Sequence, residues 1–353
     1  MKKIICLIED LNSGGAERQL VGLATLLHKS GHNVEVWTYY PGDFYASQLQ
    51  EAGVKYRYIA RAQSKMRRIS TIVGELRKAQ PDTLITYLDT ACIVGCVAKI
   101  FLPKINLVVS ERNTTQRLSI RDRVKFFLYR WANHIVPNSH AQADFIGQHF
   151  PHLLPKLTCI TNFVDTDKFT PKRNKTRNTP LSLLTVARVM PQKNVLRYIE
   201  AIKCVVDRGH NIVVDWYGYS GDDYYKECVR MIENCGLQDV FLFYPPTTAI
   251  VDIYRSHDVF CLPSLYEGYP NVVCEAMSCG LPIICSNVCD NASIVENGIN
   301  GFLFNPLSVN DMADTIECAI VSSNLDVMSA VNRVKAVSLF AQDVFLQRYL
   351  AII

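Results

Sequence analysis

Short apolar runs of strand length alternate along this chain with stretches in which apolar residues recur at helical spacing. Lys3 to Ile8 reads as a strand. Ala16 to Lys29 reads as a helix with Leu20, Leu23, Ala24 and Leu27 on one face, and Val34 to Thr38, after Gly31, as the next strand. A strand, crossover helix and strand in that order place the two strands parallel in one sheet. Further strands are predicted at Thr83 to Tyr87, Asn106 to Val109 and His134 to Pro137, with Leu157 to Ile160 leading out of the domain. A second series begins at Leu181 to Val186 and continues with Ile212 to Trp216, Val240 to Phe243, Val259 to Leu262 and Pro282 to Ser286. Between the series, residues 162–179 are rich in Asp, Thr, Lys, Asn and Pro and have no period, as a linker would. The pattern predicts a doubly wound α/β domain over residues 1–161, a second over 180–330, and a helical segment over 331–353.

Length agrees with two domains, since 353 residues exceed what one hydrophobic core usually supports. The 49% apolar content is globular. The run Ile4 to Ile8 is too short for a membrane span or a signal sequence and is followed by Glu9 and Asp10, so a cytoplasmic protein is expected. Thirteen cysteines include no C-x-x-C pair, and the spacings of Cys274, Cys279, Cys285 and Cys289 match no standard zinc pattern. Reduced, mostly buried thiols are expected.

Charge divides unevenly. Residues 1–160 hold 21 Lys and Arg against 12 Asp and Glu, whereas the remainder holds 16 against 21. Much of the excess lies in Arg61 to Lys78 and Arg117 to Arg130, where cations alternate with Met, Ile, Leu and Phe. Two readings stand: a surface lying on anionic lipid, each cation adding roughly 1 kcal/mol, or a solvated helix face over the core. Nucleic acid is disfavoured as a partner, because the pI of 8.3 is modest and no recognised nucleic-acid motif accompanies the basic stretches.

The most informative chemistry lies in S-L-Y-E-G-Y-P-N-V-V-C-E-A-M-S-C-G-L-P, Ser264 to Pro282. The apolar run before it reads as a strand, Pro270 suits a first helical position, and Gly280 suits the residue just past the helix end. Free N–H groups at such a helix start make the backbone from Gly268 through Tyr269, Pro270 and Asn271 to Val272 a candidate anion seat. Glu267 before the helix would repel phosphate and is better suited to accept from hydroxyls, and Glu275 in the second turn can face the same small cleft. Phosphate together with hydroxyls points to a nucleotide sugar.

This segment resembles the E-x7-E signature of the retaining glycosyltransferases of family 4, which have the GT-B fold, and N-G-I-N-G-F-L-F (Asn297 to Phe304) continues the pattern. Two more segments resemble the family: Asn12-Ser13-Gly14-Gly15-Ala16-Glu17, and Val186-Ala187-Arg188 with Lys193-Asn194. The resemblance implies two Rossmann-like domains facing one another across a cleft, with the C-terminal helix returning to the first. It also implies transfer of a sugar from a nucleotide-sugar donor to a glycan acceptor, without cofactor or metal. Arg188 and Lys193 would then stabilise the leaving diphosphate, Glu267 would grip the sugar and Glu275 the ribose. Gly14 and Gly15 would wall the donor or acceptor, although by themselves they read equally as a flexible turn. Glu17 either belongs to that wall or complements the helix dipole. Asn194 is expected to cap the helix that follows.

Two departures limit the transfer by resemblance. Relatives carry Ser-Glu-His where this chain has Ser110-Glu111-Arg112-Asn113, which leaves Glu111, Arg112 and Asn113 as acceptor candidates. Trp216-Tyr217-Gly218-Tyr219-Ser220-Gly221 spaces its glycines more widely than the family's Gly-x-Gly, which puts backbone contacts at Gly218 in question. Asp89 either reaches the acceptor or caps a helix beginning at Thr90. Asp165-Thr166-Asp167 falls in the linker and reads as turn residues rather than metal ligands. The basic first domain points to a polyprenyl-diphosphate glycan as acceptor, used at the inner face of the cell membrane in bacterial surface polysaccharide synthesis. The alternatives are a nucleotide-sugar 2-epimerase of similar fold and a non-catalytic glycan- or lipid-binding protein.

Overall fold

The computed structural model describes residues 1–65, 67–115, 117–172, 176–219 and 221–353. Met66 of the first basic stretch, residues 173–175 of the expected linker and Ser220 lie outside the described residues. The chain divides into two compact units, Met1–Asn162 with Gln342–Ile353, and Phe163–Ala341.

In the first unit β1 (Lys3–Leu7), β2 (Asn33–Thr38), β3 (Lys55–Tyr58), β4 (Thr83–Tyr87), β5 (Asn106–Glu111) and β6 (His134–Pro137) form one parallel sheet in the order β3-β2-β1-β4-β5-β6. β4 is buried along its whole length, as an inner strand covered by helices on both faces must be. Sequence reading misses β3, whose residues Lys55, Tyr56, Arg57 and Tyr58 are largely exposed. As an edge strand it needs no apolar run and is protected by its charges. The strand expected over Leu157 to Ile160 is reduced to one bridge, Leu157 to Ile135, with Thr158 and Ile160 donating to the carbonyls of Ile135 and Pro137.

The second unit repeats the plan. β7 (Leu181–Val186), β8 (Ile212–Tyr217), β9 (Phe241–Tyr244), β10 (Val259–Leu262), β11 (Ile283–Ser286) and β12 (Gly301–Phe304) lie in the order β12-β11-β10-β7-β8-β9. β12 was not expected; it falls inside the N-G-I-N-G-F-L-F segment. At Gly301 a Cβ would stand 2.2 Å from the carbonyl oxygen of Ile283 on the neighbouring strand, so only glycine allows that pairing.

The single helix expected over residues 331–353 is two. Leu325–Phe340 packs in the second unit and Gln342–Leu350 in the first, separated by Ala341 at φ −57°, ψ 147°. The expected linker is also largely fixed. Asp165 Oδ1 accepts from the N–H of Lys168 at 3.0 Å, the turn role read for it, and Arg333 Nη1 donates to the carbonyls of Thr166, Phe169 and Ser278.

Candidate active site

Ligands of open parallel sheets gather beyond the carboxyl ends of the strands where the strand order reverses. In the second unit that point lies between β7 and β10. The loops leaving these strands are tied together: Leu265 N–H donates to Gln192 O at 2.8 Å, and Gln192 Nε2 donates to Tyr266 O at 2.9 Å. This lacing brings Lys193 Nζ to 2.5 Å from Glu267 Oε1, with both side chains mostly buried. Two residues given separate tasks from sequence thus form one ion pair. Arg188 is exposed, and its guanidinium makes no hydrogen bond or ion pair among the described residues. Asn194 occupies the N-cap position at φ 58°, but its side chain does not cap. Its Nδ2 donates to Pro306 O, and its Oδ1 accepts from Arg197.

The helix after β10 runs Asn271–Ser278 with Pro270 as its N-cap, one residue earlier in role than expected. The N–H groups of Asn271 and Val272 have no acceptor among the described residues, and the buried Asn271 Oδ1 has no partner. Glu275 is buried on this helix and accepts from Tyr254 Oη at 3.0 Å, while the same hydroxyl reaches Val272 O at 3.3 Å. Gly268 is half-buried before it, and Tyr269 turns its ring into the core against Phe340, leaving only its backbone for a ligand. Gly280, at φ +73°, ends the helix as expected, with Gly280 N–H bonded to Met277 O and Leu281 N–H to Ala276 O. Gly218 follows β8 at φ +125°. A Cβ there would stand 2.5 Å from the carbonyl oxygen of Ala187, so this glycine sets the backbone that carries Arg188.

In the first unit the order reverses between β1 and β4. Gly14 is the N-cap of the helix Gly15–Lys29, and Glu17 folds back over it; burial raises the Glu17 carboxyl, while its own backbone N–H pulls the other way. After β4, Leu88 sits at φ 72°, ψ 156°, a region that L side chains rarely adopt, and Asp89 opens the helix Asp89–Phe101. Asp89 does not cap that helix. Its Oδ1 accepts from Lys125 Nζ at 3.1 Å, and the same ammonium donates to Glu111 Oε2 at 2.8 Å. Tyr129 Oη donates to Glu111 Oε1 at 3.1 Å. Glu111 is wholly buried within this cluster. Burial pushes its carboxyl up to about 7, although Lys125 pulls it down. Burial alone would lower the Lys125 ammonium; Glu111 and Asp89 outweigh that and hold it above the usual lysine range.

Arg112 is likewise buried. Nη2 donates to Tyr87 Oη at 2.6 Å and Tyr349 Oη at 2.7 Å, and Nη1 donates to Asn162 Oδ1 at 2.9 Å. The guanidinium therefore ties the helix Gln342–Leu350 to the first sheet. Asn113 beside it is exposed.

The family described as Glycosyltransferase Family 4 matches residues 13–168, and the one described as Glycosyl transferases group 1 matches residues 166–330. The chain belongs to glycosyltransferase family 4. This family 4 chain is 32% identical over 200 residues to the UDP-Gal:alpha-D-GlcNAc-diphosphoundecaprenol alpha-1,3-galactosyltransferase of Escherichia coli, a match covering 52% of this chain and half of that enzyme's length. It is 25% identical over 291 residues to the GalNAc-alpha-(1->4)-GalNAc-alpha-(1->3)-diNAcBac-PP-undecaprenol alpha-1,4-N-acetyl-D-galactosaminyltransferase of Campylobacter jejuni, covering 78% of this chain and 77% of the relative. Among solved structures, Anabaena Alr3699/HepE in complex with UDP and glucose aligns with a TM-score of 0.86 at 19% identity over 99% of both chains. The fold is therefore GT-B, with its two doubly wound parallel sheets.

Family motifs did not single out Lys125, Tyr129, Tyr254 or Tyr349. Lys125 was counted with a basic stretch, yet on the helix Ile120–Leu128 the inward residues are Lys125 and Phe126, while Ile120, Val124 and Phe127 are exposed. The apolar stripe is the outer one. In the other stretch Ile72, Val73 and Leu76 face in, and Arg61, Lys65, Arg67, Arg77 and Lys78 face out, but Arg68 is buried. Among the described residues no helix is long and apolar enough to cross a membrane. All thirteen cysteines are free, eight of them buried.

Proposed function

We propose that the family 4 chain is a retaining, metal-independent glycosyltransferase that moves a sugar from a UDP- or GDP-sugar to a polyprenyl-diphosphate-linked glycan at an anionic membrane face. The observation that carries this reading is the Lys193–Glu267 pair at the second unit's switch point, beside a helix whose first two N–H groups have no acceptor among the described residues. Departure of a nucleoside diphosphate from the anomeric carbon builds negative charge on the leaving phosphate, and preorganised donors lower that barrier most effectively. Arg188 is unpaired for a phosphate. The amides of Asn271 and Val272 add donors at a helix start, and Lys193 is held rigid by Glu267. The far oxygen of Glu267 accepts from a sugar hydroxyl, and Glu275, oriented by Tyr254, from the ribose. These cations and amides are what neutralise the leaving group, so no divalent ion is assigned a task. Retention follows from front-face attack, in which the leaving phosphate takes the acceptor proton.

On the acceptor side, Asp89 is presented by the strained Leu88 and braced by Lys125. Two relatives act on undecaprenyl-diphosphate glycans, which supports a lipid-linked acceptor here. The exposed Ile120, Val124 and Phe127, flanked by exposed Arg117, Arg121, Arg123 and Arg130, suit contact with anionic lipid at the cytoplasmic face. The test is incubation of the purified chain in EDTA with labelled UDP- and GDP-sugars and an undecaprenyl-diphosphate glycan. Transfer with retained anomeric configuration supports the reading; an epimerised donor, or no turnover with any donor, overturns it.

A further inference from the structure

A cavity of about 570 Å³ lies in the first unit, lined by residues from the ends of three neighbouring strands. Glu9 follows β1, Tyr40 follows β2 and Thr90 follows β4, so the cavity sits where the first sheet reverses its order. The first turns of two helices, Arg68–Ala79 and Asp89–Phe101, contribute Arg68, Ile69 and Thr90 to its wall, directing two positive dipole ends at it. Three cations line it, Lys65, Arg68 and Arg121, against one carboxylate, Glu9.

Arg68 is the decisive residue. It is only 5% exposed, and it rests on the rings of Tyr39 and Tyr40 at 4.4 and 4.7 Å. Its Nε donates to Ala62 O at 2.9 Å and its Nη2 to Tyr40 Oη at 2.5 Å and Gln63 O at 3.0 Å. Every one of these acceptors is neutral, Nη1 has none, and no carboxylate lies within ion-pair distance among the described residues. A buried cation fixed by neutral groups and left without a counter-charge is a poor structural element, because charges are normally paired when buried. It is a good anion receptor, being already desolvated and oriented. The remaining wall is aliphatic, with Ile69, Ile93 and Val94, and offers no aromatic ring to stack a nucleobase beyond Tyr40, which is already engaged by Arg68. Arg121 also belongs to the helix whose exposed stripe begins at Ile120, so an apolar chain leaving the cavity meets that stripe.

We propose that this cavity holds a prenyl diphosphate: the two phosphates against Arg68 and Arg121, the first isoprene units against Ile69, Ile93 and Val94. It is a site distinct from that of the donor diphosphate, and its role as the acceptor's anchor rests on the glycosyl-transfer reading above.

Calorimetric titration of the full chain with farnesyl diphosphate, inorganic pyrophosphate and farnesol tests the assignment without requiring turnover. Farnesyl diphosphate is expected to bind at least tenfold more tightly than either of the others. Arg68→Met is expected to weaken it tenfold or more, and Arg121→Glu, at an exposed position that leaves folding untouched, severalfold. Lys193→Met is expected to leave it unchanged. Pyrophosphate binding as tightly as farnesyl diphosphate, and weakened by Arg68→Met but not by Lys193→Met, would overturn the prenyl assignment in favour of a free-phosphate site, and farnesyl diphosphate affinity insensitive to both arginine changes would overturn the site itself. Farnesyl diphosphate bound here by a chain that transfers no sugar would keep the site while removing the transferase reading. Transfer to a lipid-linked acceptor with an unaltered acceptor KM in Arg68→Met would do the reverse.

Discussion

Lys193 Nζ and Glu267 Oε1 stand 2.5 Å apart although 74 residues separate them in the chain, because Leu265 and Gln192 lace their two loops together. The pair holds the Lys193 ammonium in one pose before any ligand arrives: the carboxylate satisfies it and fixes its direction, and under the proposed function that pose serves the leaving phosphate. Lys193→Met is expected to lower kcat about 10²- to 10³-fold, the usual cost of losing one preorganised donor. Glu267→Gln should be severe as well, and the double variant no worse than the poorer single one, since groups that act as a unit are not additive. Steady-state kinetics of the three variants decide it; strictly additive losses would mean two independent roles.

Glu111 gives a pH dependence with a definite sign. Its carboxyl titrates at about 7 in the folded chain and near the ordinary carboxylate value when unfolded. Between those values the folded chain keeps a proton that the unfolded chain has released, so this group removes stability as pH rises from about 4 to about 7, with no further change above. Urea unfolding of wild type and Glu111→Gln should differ little at pH 4.5 and diverge by pH 7.5, with the variant gaining on the wild type. Parallel curves would show that Lys125 holds Glu111 ionised throughout.

Leu88 holds a backbone conformation that only glycine adopts without cost. Leu88→Gly should therefore be neutral or stabilising by about 1 kcal/mol, the relieved strain exceeding the lost packing of a half-buried side chain, whereas glycine elsewhere in an ordered turn costs a similar amount. Asp89 would be less firmly presented, so acceptor KM should rise while donor binding holds. A melt together with acceptor-titrated kinetics separates these outcomes.

Gly218→Ala should act in the opposite way. The new methyl meets the carbonyl of Ala187 at 2.5 Å, on a backbone already at φ +125°. A loss of about 1–3 kcal/mol is expected, with weaker donor binding because Arg188 moves with its neighbour. Denaturant unfolding and nucleotide titration would both report it.

The outer stripe of the helix Ile120–Leu128 predicts membrane behaviour. Phe127→Asp with Val124→Asp should abolish cosedimentation with phosphatidylglycerol vesicles, and binding of the wild type should fall as salt rises, since the flanking arginines act at screened range. Vesicle binding unchanged in the double variant would return this helix to an ordinary solvated face.

The sheets were largely legible from sequence because inner parallel strands are buried on both faces and read as unbroken apolar runs; Thr83–Tyr87, His134–Pro137, Leu181–Val186 and Val259–Leu262 appear where that pattern puts them. β3 escaped because an edge strand carries charge. The closeness of Lys193 to Glu267 was not legible, but the segments that carry Lys193, Glu267 and Glu275 were, because each follows a strand that reads as an apolar run. The buried polar cluster of the first unit was not legible. Lys125 looks like one more surface cation in R-D-R-V-K-F-F, and only its packing against Glu111 and Asp89 inverts the helix, turning its amine inward and Ile120, Val124 and Phe127 outward. The hydrogen bonds of Arg112 are hidden from sequence for a related reason. Its partners Tyr87 and Tyr349 lie 25 and 237 residues away, and neither spacing is visible in a local motif.

The Arg112–Tyr349 bond also sets an order of events during synthesis. The helix that supplies Tyr349 leaves the ribosome after all of the second unit, so the N-terminal half emerges with a guanidinium short of one of its three oxygen partners until that helix has been made. A chain cut near Phe340 would keep Tyr87 and Asn162 as acceptors for Arg112 but lose Tyr349, and with it the bond that fastens the helix Gln342–Leu350 to the first sheet.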